Sequence, residues 1–176
     1  MGTAWRAAGV AGLVLVAVVL QTAVLSQMPV WGVTPDLVLV VVVGVALVRG
    51  PEIGSITGFC AGLAVDLAPT ADHVAGRWAL ALAVVGYLVG RLHAERSAWG
   101  GDRPLDAVLA VGAGSFVATS IFALSGFVVH DATGSVGRML VVVGIGVALD
   151  MVVAPILLPP LLSLLRRLRP AHQALI

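Results

Sequence analysis

The sequence predicts an all-α polytopic membrane protein, a bundle of six transmembrane helices, from three observations. First, 60% of its 176 residues are hydrophobic and only 11% are charged, about half the charge a water-facing domain carries. Second, the apolar residues fall into six runs near the length that crosses a bilayer, about 20 residues. Third, the ten basic residues, all arginine, flank those runs instead of interrupting them.

The runs are about 7–25, 35–48, 53–68, 77–90, 105–129 and 138–165, which together make one transmembrane domain over 1–176. The first, after Arg6, is longer than a signal-peptide core and lacks a small-residue cleavage site, so it reads as a retained helix. The second, third and fourth are short. Arginines reaching to the interface, local thinning or burial against neighbours can accommodate them, and a five-span alternative makes the second and third a re-entrant pair. Thr34 is the expected N-cap of the second helix, with Pro35 at its first position and Asp36 at its positive end. Arg49-Gly50-Pro51-Glu52 reads as a tight turn into the third.

Arginine placement predicts orientation. With the N-terminus inside and six spans, Arg6, Arg49, Arg91, Arg96, Arg103, Arg166, Arg167 and Arg169 lie inside and only Arg77 and Arg138 outside. Both termini are then cytoplasmic, in the cell (inner) membrane.

Small residues let helices approach closely in lipid, where hydrophobicity does not drive association. Gly54, Gly58 and Gly62 are spaced by four on the third helix, and Gly86 and Gly90 repeat the spacing on the fourth, a face for helix packing or for a partner. Asp66 ends the third-helix row, near the outer end where water or Arg77 could reach it. In the sixth helix Gly146 precedes Asp150 by four, as Gly62 precedes Asp66, a weak sign of an internal repeat. Asp150 lies midway along its run, where an unpaired carboxylate costs at least about 2.5 kcal/mol. It must face the bundle interior or a partner, as a hydrogen-bond anchor, a proton- or ion-coupling group, or a contact with another chain's helix.

Several function classes are disfavoured. A net charge of +1 leaves no basic nucleic-acid face. The single Cys60 allows no internal disulfide or cysteine metal cage. Asp72-His73 and His130-Asp131 read as solvated loop ends, not a metal site, and no cofactor is expected. No phosphate-cradling, nucleophile-elbow or metalloprotease motif occurs, so no catalytic residue is nominated. Ser115, Ser120 and Ser125 are expected to bond to their own preceding helical turn.

One stretch carries a resemblance. It reads Pro35-Asp36-Leu37, a valine run, Ala46-Leu47-Val48-Arg49-Gly50, Gly54-x3-Gly58-Phe59-x2-Gly62-Leu63-x2-Asp66-Leu67, then Gly86-Tyr87-Leu88-x-Gly90. It resembles the rod shape-determining protein MreD family, in size and paucity of loops along the whole chain and in motif over about a third of it. The matching residues are Pro35, Asp36, Arg49, Gly58, Gly62 and Asp66. The resemblance implies a fold similar to the substrate-binding subunits of energy-coupling-factor transporters. It also implies a non-enzymatic scaffold role in the elongation machinery, supporting side-wall peptidoglycan synthesis. The implied partners are an MreC-type protein and, through it, the MreB filament, the RodA polymerase and its transpeptidase, with membrane lipid around them. The alternative is a substrate-binding subunit of a vitamin transporter.

Overall fold

A computed structural model describes residues 3–27, 32–68, 74–97, 104–128 and 136–167. These form six α-helices: α1 (Thr3–Ala23), α2 (Leu37–Arg49), α3 (Pro51–Asp66), α4 (Arg77–Ser97), α5 (Pro104–Val128) and α6 (Val136–Arg167). A short 3-10 turn, Leu25–Gln27, follows α1.

The bundle is built around α2. A helix that is apolar on every side has no face to give to solvent and must be enclosed. Every residue from Val38 to Ala46 is buried, and α2 packs against each of the other five helices. At 13 residues it is only about 20 Å long, well short of a hydrocarbon core of about 30 Å. The 16-residue α3 is likewise short. By contrast, Leu105–Gly126 of α5 and Gly137–Arg167 of α6 are each long and apolar enough to cross a membrane.

The two short helices form a tight hairpin. Gly50 ends one and opens the other, with φ +86°, a backbone conformation that side chains other than glycine's rarely adopt. Arg49 closes α2 at its negative end, and Pro51 starts α3 where its missing N–H is not needed.

Element bounds differ from the sequence expectation. The N-cap of α2 is Asp36, not Thr34: its carboxylate accepts the Leu39 N–H at 2.9 Å, and Pro35 lies one residue before the cap instead of opening the helix. The α4 helix runs past Gly90 to Ser97, a charged extension in which the Arg91 guanidinium pairs with Glu95 one turn on, at 3.1 Å. The α1 helix starts at Thr3 and α6 ends at Arg167, so both continue through their flanking polar residues.

The outside of the bundle is apolar. Leu15, Val16 and Val19 of α1, Phe59 of α3, and Leu140, Val152 and Ile156 of α6 are all exposed. Water does not tolerate apolar surface this extensive on a monomer, and lipid does, consistent with membrane insertion.

Candidate functional site

Of the buried polar residues, Asp66, Arg77, Ser115 and Asp150 collect at two junctions, each built around an aspartate that receives the start of a different helix, while Thr57 of α3 lies apart. The first lies deep in the bundle, where α2 begins. A helix leaves its first N–H groups without intrahelical partners, and in an apolar bundle each such group costs several kcal/mol if unmet. Three acceptors meet them here. Asp150, near the middle of α6, accepts the Asp36 N–H at 2.6 Å. Gln21, near the end of α1, accepts the Val38 N–H at 3.0 Å through Oε1. Asp36 accepts the Leu39 N–H. The other oxygen of Asp150 accepts the Ser115 hydroxyl of α5 at 2.5 Å. Asp150 is 3% exposed and Ser115 fully buried. Three segments of chain, α6, α5 and the start of α2, are therefore joined through one carboxyl group, and Gln21 ties α1 to the same helix start.

Ser115 corrects the expectation from sequence, since its hydroxyl reaches across to α6 instead of back along α5. The Asp150 carboxyl of the neighbouring helix offers it an acceptor, and inside an apolar bundle that carboxyl in turn needs a partner from another helix. Thr119 makes the local bond instead, to the Ser115 carbonyl at 2.6 Å. Ser125 does bond its own helix, to the Phe122 carbonyl at 2.8 Å.

The second junction is where α4 begins. Asp66, the last residue of α3, accepts from Gly76 N–H at 2.9 Å, Ala79 N–H at 3.0 Å and Trp78 N–H at 3.2 Å. Its carboxylate is thus an N-cap supplied by the preceding helix, at the end where the α4 dipole favours negative charge. Beside it, Arg77 is buried. Its Nε donates to Ser125 Oγ at 3.1 Å and its Nη2 to the Phe122 carbonyl at 2.7 Å. The guanidinium lies 3.9 Å from the Phe122 ring centroid, a cation–π contact, and Trp78 stacks on the same ring at 4.8 Å. Gly126 makes room for this approach, because a Cβ there would push the end of the Arg77 guanidinium aside. A cation near the closing turns of α5 also suits that helix's dipole.

The glycine rows run from the second junction back to the turn between α2 and α3. Gly54 faces Gly86, where an added Cβ would come 2.6 Å from the Gly86 carbonyl oxygen. Gly58 faces Leu82 and Ala83, Gly62 faces Trp78 and Ala79, and Gly90 faces the Gly50–Pro51 turn. All five therefore lie along the contact between α3 and α4, backbone against backbone.

The shared Gly-x3-Asp pattern has a local reason at Asp66 alone. In both helices the glycine stands one turn before the aspartate, but only Gly62 clears space for the segment the aspartate holds. Gly62 faces Trp78 and Ala79, whose N–H groups Asp66 accepts. A Cβ added at Gly146 would make only ordinary contact with Val33, at 3.7 Å. The segments held are not equivalent under a three-helix repeat: α3 holds the start of α4, whereas α6 holds the start of α2.

Asp72, His73, His130 and Asp131, the loop residues weighed as metal ligands, lie outside the described residues, as do Arg103, Arg169 and His172. Gln21 and Ser115 were not nominated from sequence. The signal for them is the same as for Asp150: a polar side chain well inside an apolar run needs a partner from another helix.

Comparison with known proteins adds one match. The family model of the rod shape-determining protein MreD matches residues 6–168. No curated protein and no solved structure matches the chain. With nearly the whole chain covered, the protein belongs to the MreD family, whose members determine rod shape.

Proposed function

We propose that the chain is a non-enzymatic scaffold in the machinery that inserts side-wall peptidoglycan. In this role it is a multi-pass bundle in the cell membrane, of the kind built by energy-coupling-factor substrate-binding subunits, with both termini cytoplasmic. The observation that carries the proposal is the use made of the buried polar groups. The carboxylates of Asp36, Asp66 and Asp150 accept backbone N–H groups at the starts of α2 and α4. They act as structural fasteners, and recognition falls to helix faces and ends. Partners on this proposal are an MreC-type protein and, through it, the MreB filament, RodA and its transpeptidase. The eight-to-two arginine bias supports the orientation.

Depletion in the native host tests the role. Rounded cells, with growth not restored by vitamins, are the expected result. Rod-shaped cells that become vitamin auxotrophs would overturn the scaffold in favour of a transporter subunit.

A further inference from the structure

A cavity of about 920 Å³ opens where α2, α4 and α6 end and α5 begins. That is the size of a site for a substantial organic ligand. Its depth is hydrocarbon, from Leu47, Val108, Leu158 and Leu162. Pro155 and Pro159 add to the wall, and neither has an N–H, so this stretch of α6 offers contact without a donor. Its edge is polar: His93 from α4, Asp106 from α5, and Ser163 and Arg166 from α6. Asp106 is ion-paired with Arg96 at 3.6 Å, which balances its charge. Arg166, exposed and followed by Arg167, makes the rim net cationic.

A second groove, about 280 Å³, lies between α1, α2 and α6, lined by residues such as Leu13, Val16, Leu157 and Leu161 and by no polar side chain. It is what any lipid-facing surface offers. The larger cavity differs in being greasy at depth and cationic at one edge, and the chemistry that matches both is an anionic amphiphile.

We propose that this cavity binds one anionic phospholipid, its acyl chains against Leu47, Val108, Leu158 and Leu162 and its phosphate at Arg166 and His93. The proposal rests on insertion of the chain in a membrane, which co-fractionation with membranes tests separately.

The direct test is native mass spectrometry of the full-length protein in detergent, titrated with dioleoylphosphatidylglycerol or dioleoylphosphatidylcholine. One phosphatidylglycerol should be retained in preference to phosphatidylcholine. Arg166→Gln should lower that preference about fivefold, the effect of one cation near an anionic headgroup. Leu162→Trp, which fills the cavity, should abolish retention of both lipids, whereas Val16→Trp in the apolar groove should leave it unchanged. Equal retention of the two lipids by wild type, or no effect of Arg166→Gln, would overturn the proposal. So would a second copy of the chain, instead of lipid, leaving on Leu162→Trp. If Leu162→Trp lowers the melting temperature markedly, the exposed Arg166→Gln variant decides alone.

Discussion

The α3–α4 hairpin and the α5–α6 pair are held by opposite means. Between α3 and α4 the contact is backbone on backbone along Gly54, Gly58, Gly62, Gly86 and Gly90, and it is the most extensive helix pairing in the bundle. Between α5 and α6 the side chains are larger, a cavity opens at one end, and a buried hydrogen bond from Ser115 to Asp150 ties the helices near their middles. The first contact depends on shape and tolerates no added atom. The second depends on a buried polar bond and leaves a cavity at one end. Lipid explains the need for both devices, because without a hydrophobic drive helices associate by close packing or by polar bonds.

Substitutions that add bulk or remove a bond separate the two regions. The largest effect is expected from Gly58→Leu, whose side chain would overlap the Leu82 backbone. Overpacking against backbone that cannot move costs about 3 kcal/mol or more, so the variant should fail to accumulate, as read by membrane immunoblot. Gly12→Ala is the matched control, with nothing within 4 Å of its added Cβ and an expected change within about 0.5 kcal/mol.

Next is Asp150→Ala, which removes the acceptor for both the Asp36 N–H and the Ser115 hydroxyl. Each buried group left unmet costs about 1–3 kcal/mol, and thermal unfolding in detergent should show a loss in that range or above. Asp66→Ala should act similarly but on α4, and hydrogen exchange should speed up at Gly76, Trp78 and Ala79 while the start of α2 stays protected. The smallest effect is expected from Ser115→Ala, about 1 kcal/mol. In a double-mutant cycle it should couple to Asp150→Ala, and additive losses would mean that the bond contributes nothing.

The parts of this arrangement differ in how far the sequence reveals them. The glycine rows are visible because spacing by four fixes one helix face, whatever that face meets. The number of apolar runs, and their division by Gly50-Pro51, follows from length and breakers in the same way. The depth at which α2 starts is not visible, because it depends on what receives its first N–H groups. Thr34 and Asp36 are both good caps by type. Asp36 takes the position because Asp150 holds its N–H and Gln21 holds that of Val38, contacts separated by 114 and 17 residues along the chain. Ser115 is hidden for the same reason: a lone serine in a helix has a local partner in its own preceding turn, and only the tertiary position of Asp150 outcompetes it. Asp66 was legible as a polar end to a packing face, but not as the cap of the next helix.

The central claim is that the buried aspartates fasten helices and carry no proton or ion. Asp150→Asn tests it most directly, because the amide keeps an oxygen to accept the Asp36 N–H but cannot ionise. Cell shape should be measured in a depleted host complemented with this variant at wild-type abundance. Rods, with a melting temperature closer to wild type than that of Asp150→Ala, are the expected result. Round cells containing normal amounts of a stably folded Asp150→Asn protein would contradict it and assign the carboxylate a charge-dependent task.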